Sequence, residues 1–122
     1  MKEEQWPPHA LGRNGEEAAI SYLKRKKYQI VTRGFRLFRG EIDIIAHDKS
    51  TLVFIEVKTR RSLEFGPPEE SVTAAKQKQI RKIAQGFLAL HGIKDVECRF
   101  DVLSLIETGK NEFSIHHIEN AF

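Results

Sequence analysis

Three side chains close together in the chain have the types and spacing for hydrolytic chemistry: Asp43, Glu56 and Lys58. Asp43 lies in the run Gly40-Glu41-Ile42-Asp43-Ile44-Ile45-Ala46, and the other two in Val53-Phe54-Ile55-Glu56-Val57-Lys58-Thr59-Arg60. Both runs are apolar, and ionised groups on such strands need partners because desolvation is expensive. If the runs form a hairpin about Asp48-Lys49, paired positions sum to 97. That sets Asp43 opposite Phe54 and Glu41 opposite Glu56, with Asp43 and Glu56 diagonal neighbours about 7–8 Å apart. One face is then Ile42, Ile44, Ala46, Val53, Ile55 and Val57, all apolar. The other is Glu41, Asp43, Ile45, Leu52, Phe54, Glu56 and Lys58. Two clustered carboxylates repel, and a hard divalent cation such as Mg²⁺ or Mn²⁺ relieves the repulsion while keeping positions for water and phosphate oxygens. Lys58, two residues on, would orient a water or meet developing negative charge. The competing reading is structural: a partly exposed edge on which Lys58 bridges Glu56 and Glu41.

These residues must be held by a small scaffold. The 122 residues are one domain's worth, 40% hydrophobic and 30% charged. That composition excludes a disordered or collagen-like chain, and no apolar run approaches the ~20 residues of a membrane span. The start of the chain carries no apolar signal core. Cys98 is the only cysteine, which leaves no intrachain disulfide or Cys-based zinc site and suggests a reduced, cytoplasmic protein. Pro7-Pro8 marks residues 1–8 as a flexible tail, and Gly66-Pro67-Pro68 separates strands from a helix.

Periodicity predicts a helix from about His9 to Lys27, strands over Gln29–Phe38, Glu41–His47 and Thr51–Thr59, and a helix over Ser71–His91. The second helix carries the stripe Ile80, Ile83, Ala84, Phe87 and Leu88, with Gly92 ending it. Strands over Val96–Ile106 and Glu112–Ile118 follow. The order α-β-β-β-α-β-β implies an α/β domain, a mixed β-sheet flanked by helices.

Net charge is only +3, but the basic residues are bunched. Seven fall between Lys24 and Arg39 with no acid among them, Arg36 and Arg39 included; Lys58, Arg60 and Arg61 form a second knot, and Lys76, Lys78, Arg81 and Lys82 a third. Such clusters suit a phosphate-bearing partner, and equally a solvated face. Arg60 and Arg61 directly follow the acidic pair and are candidates for substrate phosphates. Lys76 and Gln77 project onto the buried stripe near the second helix's start, where phosphate would meet a favourable dipole; a snorkelling lysine and a capping glutamine would look the same. His116 and His117 are adjacent on a strand and cannot share one ion. Asp101 alternates with Phe100 and Val102 and reads as a supporting acid.

The two hairpin runs resemble the PD-(D/E)xK nuclease superfamily. More closely, the chain is similar to the small bacterial UPF0102 (YraN-like) family. Gly12-Arg13-Asn14-Gly15-Glu16, Phe65-Gly66, Val72-Thr73-Ala74-Ala75-Lys76-Gln77 and Cys98-Arg99-Phe100-Asp101-Val102 match as well, so the likeness spans nearly the whole chain. The resemblance implies a restriction-endonuclease-like or Holliday-junction-resolvase-like core, with Asp43, Glu56 and Lys58 as the catalytic triad. The motif's proline is absent, since Ile42 precedes Asp43. An Asn often precedes the Phe-Arg pair in the family, and Gly34 stands there in this chain. The resemblance also matches Glu16, which shares a helix face with Ala19, Ile20 and Leu23, to an acid that helps hold a metal or its water. With it the expected metal ligands are Asp43, Glu56, the Val57 carbonyl and Glu16.

The function so implied is a Mg²⁺- or Mn²⁺-dependent endonuclease acting on nucleic acid, DNA favoured over RNA, with structured or branched DNA as substrate. A symmetric junction would call for a homodimer. The alternatives are a catalytically silent nucleic-acid-binding module of the same fold, or a protein-interaction domain.

Overall fold

A computed structural model describes residues 8–61 and 68–122. Helix α1 (Pro8–Arg25) is followed by strands β1 (Gln29–Leu37), β2 (Gly40–Asp48) and β3 (Thr51–Arg60). A short 3-10 turn (Pro68–Ser71) leads into helix α2 (Ala74–Leu90), then β4 (Cys98–Gly109) and β5 (Glu112–Ile118). Among the described residues the order is the expected α-β-β-β-α-β-β. Residues 1–7 of the expected tail, and the Phe65-Gly66-Pro67 stretch, lie outside the described residues.

The second helix begins later than periodicity predicts because Thr73 caps it, its side chain accepting a hydrogen bond from the Lys76 N–H (3.3 Å). It ends in a paired closure. Gly92, in the left-handed region at φ 61°, donates to Ala89, and Ile93 donates to Leu88 across 2.9 Å.

The five strands lie in the order β1-β2-β3-β4-β5. All neighbours are antiparallel except β3 and β4, whose parallel pairing requires the crossover that α2 supplies. The central strand β3 is buried from Leu52 to Glu56. On one face, Ala19, Ile20 and Leu23 of α1 pack on Ile44, Ala46, Val53, Ile55, Leu103 and Leu105. On the other, Ile80, Ile83, Ala84 and Phe87 of α2 pack on Ile45, Leu52, Phe54 and Val102. No helix among the described residues is long and apolar enough to cross a membrane.

Two details differ from the sequence expectation. The β2–β3 pairs are Asp48↔Thr51, Ala46↔Val53 and Ile44↔Ile55, so positions sum to 99 and the turn is Lys49-Ser50. Asp43 and Glu56 each lie one residue past the last pair, Ile44↔Ile55, so they are level by that count rather than diagonal, and Glu41 is not opposite Glu56. A shift of two residues keeps every side chain on its face, so the apolar pattern did not discriminate between the registers. Ile42 also changes sides and is buried with the α2 cluster. Its partner on β1 is Phe35, which joins the same cluster, whereas Arg33 reaches Glu17 on α1 at 2.6 Å. Between Arg33 and Phe35 sits Gly34 at φ 64°, and this left-handed residue turns the β1 ribbon over.

Candidate active site

The acids meet where the sheet divides. The β2–β3 ladder stops at Ile44↔Ile55. Beyond it β2 stays on β1 through Ile42↔Phe35 to Gly40↔Leu37, and β3 stays on β4 through Glu56↔Val102 to Arg60↔Ile106. Each strand keeps its outer neighbour and loses its inner one. Asp43 sits in the crotch of this fork. Its Oδ2 accepts the Val57 N–H at 2.8 Å, in place of a β2 carbonyl.

Glu56 is 5% exposed. Its Oε2 lies 3.2 Å from Lys58 Nζ and 3.8 Å from Lys76 Nζ on α2. Its Oε1 is buried with no hydrogen-bond partner among the described residues. Burial, first, and then the Glu56 charge push the Asp43 carboxyl up to about 7; Glu16 and Glu41 add to this, against the Val57 N–H. Glu16 is raised as well, by burial and then by Glu41. Its helix comes close because Gly15 has no side chain: a Cβ there would stand 2.4 Å from Thr59 Oγ1 on β3. Glu16 thus faces the fork within electrostatic reach of both acids.

No group of three or more His, Cys, Asp or Glu side chains among the described residues is arranged to hold a metal. The fork offers two carboxylates. That donor set fits a hard cation, since Mg²⁺ is bound through one or two carboxylates with waters and phosphate oxygens completing its shell. The orphaned Glu56 Oε1 is an oxygen donor with nothing to accept. Val57, expected as a carbonyl ligand, meets Asp43 through its N–H.

The basic candidates divide. Lys58 and Lys76 converge on Glu56. Gln77 turns back to cap the segment before α2, its Nε2 donating to the Val72 carbonyl at 3.1 Å. Arg61 Nε lies 3.8 Å from Oε1 of buried Glu107. Arg60 makes one long contact to the Thr59 carbonyl (3.5 Å). Arg36 is 3.5 Å from Glu41, and Arg39 is exposed in the β1–β2 turn.

At the opposite end of β2 is a polar network whose extent sequence reasoning missed. Asp101 is fully buried. Arg99 grips it at 2.9 and 3.0 Å, His117 Nε2 donates at 2.7 Å and the Asn120 N–H at 3.1 Å. Burial alone would raise this carboxyl, but those hydrogen bonds hold it below its ordinary value. Arg99 also reaches Asp48 and the Tyr28 hydroxyl, and Tyr22 hydrogen-bonds His117 Nδ1 at 2.9 Å. The available signal was Arg99-x-Asp101, two opposite charges on one face of an otherwise apolar strand.

The model of the family described as "Uncharacterised protein family UPF0102" matches residues 15–105. A UPF0102 protein of Prosthecochloris aestuarii is 48% identical over 120 residues, covering 94% of each chain. One from Geotalea uraniireducens is 49% identical over 113 residues, covering 93% of this chain and 89% of its own. Another, from Caldicellulosiruptor saccharolyticus, is 46% identical over 113 residues, covering 92% and 96%. The matched span runs from the glycine that seats α1 against β3, through both arms of the fork, to the end of the buried part of β4, and the chain belongs to the UPF0102 family.

Proposed function

We propose that the fork is the catalytic centre of a metal-dependent nuclease of the PD-(D/E)xK superfamily, hydrolysing phosphodiester bonds in structured or branched DNA. The observation that carries this reading is Glu56: a buried carboxylate with one oxygen between two lysines, the other without a partner, beside an Asp43 whose own ionisation is resisted. Asp43 and Glu56 would hold Mg²⁺ or Mn²⁺, with Glu16 supporting a water at the rim. The ion when bound supplies a lowered pKa for a coordinated water and neutralises phosphate charge. Lys58, 24% exposed on its side chain, reaches past Glu56 to orient the attacking water and to meet charge developing on the phosphate. Lys76 does the same from α2. Arg60 at the end of β3 and Arg36 and Arg39 at the β1–β2 turn carry flanking phosphates. Two copies of the chain would serve a symmetric junction, in a reduced cytoplasmic setting that suits the single cysteine.

A second reading has its own support. Lys58 and Lys76 already balance Glu56, as in a nucleic-acid-binding module that never turns over.

The experiment is a panel of duplex, single-stranded, flap and four-way-junction DNAs incubated with Mg²⁺, Mn²⁺ or EDTA. Metal-dependent cleavage that falls by orders of magnitude in Asp43→Asn and Lys58→Ala, with DNA binding retained by Lys58→Ala, is the expected result. Binding without cleavage under every condition would leave the silent module. No binding at low salt would leave a protein-interaction domain.

A further inference from the structure

The β1–β2 turn carries an unusual residue for its place. Phe38 and Arg39 are both left-handed, at φ 53° and 60°. For a bulky aromatic that conformation is strained, and such strain gathers at ligand sites. Phe38 is also 52% exposed, one of three large apolar residues left in solvent among the described residues. The fold holds it there. It leans on α2 at Gly86, where a Cβ would stand 3.0 Å from the Phe38 ring and 2.3 Å from Leu37. Lys82 Nζ lies 5.1 Å from the ring centroid.

Phe38 forms one wall of an open groove of ≈ 790 Å³ along α2. Lys76, Lys78, Arg81 and Lys82 line the rest, and among the described residues their neighbours there are neutral, with no carboxylate. Arg81 is already seated over the rings of Phe100 and Phe122, 4.9 and 5.5 Å from their centroids. Lys78 is left for an anionic ligand, and Lys82 brings its charge to the Phe38 ring itself. Lys76 joins the groove to the fork, 3.8 Å from Glu56.

A basic track beside a fixed, half-exposed ring matches a polyanion that has π-faces to stack. A duplex offers phosphates but keeps its bases stacked inside, so a phenyl wall gives it nothing. A single strand uses both parts. We propose that this groove binds a single-stranded nucleic-acid segment, one base stacked on Phe38 and its phosphates on Lys78 and Lys82, with Lys76 leading the strand to Glu56. The proposal deepens the nuclease reading and rests on it for the strand's destination. Binding in the groove does not depend on turnover.

The test is fluorescence anisotropy with a labelled oligodeoxythymidine 12-mer and full-length protein in EDTA, so that no cleavage intervenes. Phe38→Ala and Phe38→Leu should each weaken binding by roughly 5- to 100-fold, the worth of one stacked base. Phe38→Trp should bind within a few-fold of the parent. Lys78→Gln with Lys82→Gln should flatten the slope of log K against log salt by about 1.4, at about 0.7 per phosphate contact on single strands. Thermal melts confirm that each variant is folded, and Phe38→Trp keeps the test decisive if the alanine variant is not. Parent-like binding by folded Phe38→Leu, or an unchanged salt slope, would overturn the proposal. So would a duplex bound as tightly with the same dependence on Phe38, or a polyglutamate peptide that displaces the oligonucleotide at equal charge, which would make the groove a protein-docking site. Phe38-dependent binding in a protein that cleaves nothing would remove the nuclease reading alone. Cleavage with Phe38-independent binding would remove the groove alone.

Discussion

At Asp43 the fold holds a carboxylate whose ionisation works against folding. Its ordinary value lies near 3.8, and in the fork it rises to about 7. The folded protein therefore binds a proton more tightly than the unfolded chain, so stability is full below about pH 4 and falls as pH rises through 7. The displacement is worth at most about 4 kcal/mol. Asp43→Asn keeps an acceptor for the Val57 N–H and removes the charge. In EDTA it should match the parent at pH 4, gain on it steadily to pH 7 and hold a constant advantage above that, as read by urea melts at fixed pH. Glu56→Gln should gain less at pH 8. It also relieves Asp43, but it takes the counter-charge from Lys58 and Lys76, at up to about 1 kcal/mol for each partly exposed pair. An equal or larger gain for Glu56→Gln would mean that the two lysines do not hold Glu56.

Among the elements, β1 shows most plainly how one residue sets a surface. Gly34 reverses the strand so that Arg33 meets Glu17 on the α1 side while the Phe35 ring meets Phe87 on the α2 side, 5.1 Å between centroids. Asn tolerates the left-handed region and β-branched residues do not. Gly34→Asn should change stability by less than about 0.5 kcal/mol, and Gly34→Val should lose about 1–2 kcal/mol; the nearest obstacle to a Cβ is the mobile end of Glu41, at 3.1 Å. Denaturation midpoints of the two variants check this. Gly34 also marks where sequence reading ran out. Helix stripes, the order of the elements and the acid pair Asp43 and Glu56 on two apolar strands were legible because burial writes them with periods of 3.6 and 2. The two-residue register shift preserved that signal, and the reversal at Gly34 broke it at Ile42. The convergence of Lys58 and Lys76 on Glu56 joins a strand to a helix 18 positions on, and no local pattern encodes such a meeting.

The molecule as a whole is uneven along its sheet. The fork end collects charge that is poorly balanced, and the far end is sealed by Asp101 with every neighbour satisfied. Loss of a partner costs most where no water can replace it. Asp101→Asn leaves Arg99 and His117 facing a neutral amide and should destabilise the protein by about 3–5 kcal/mol. Its oligonucleotide affinity, measured where it is still folded, should stay within two- or three-fold of the parent, roughly the scatter of remote substitutions. The opposite signs expected for Asp43→Asn and Asp101→Asn, a half-buried and a fully buried acid on one sheet, separate a site held ready for a ligand from one that closes the fold. Loss of oligonucleotide binding in folded Asp101→Asn would show instead that the two ends are coupled.

The hydrogen bond from Val57 to Asp43 gives the protein a built-in spectroscopic probe. A backbone amide that donates to a carboxylate senses its charge, since a charged acceptor bonds more strongly than a neutral one. In ¹⁵N–¹H spectra the Val57 cross-peak should move downfield with rising pH, with a midpoint near the 7 of its acceptor. Phe54, whose strand pairing with Ile45 is ordinary backbone ladder, should stay nearly still over the same range. Saturating Mg²⁺ should pull that midpoint down toward the normal carboxylate range, because a bound cation favours the ionised acid. One resonance would then read proton and metal occupancy of the fork without any substrate, and a Val57 peak blind to both would place Asp43 outside the site.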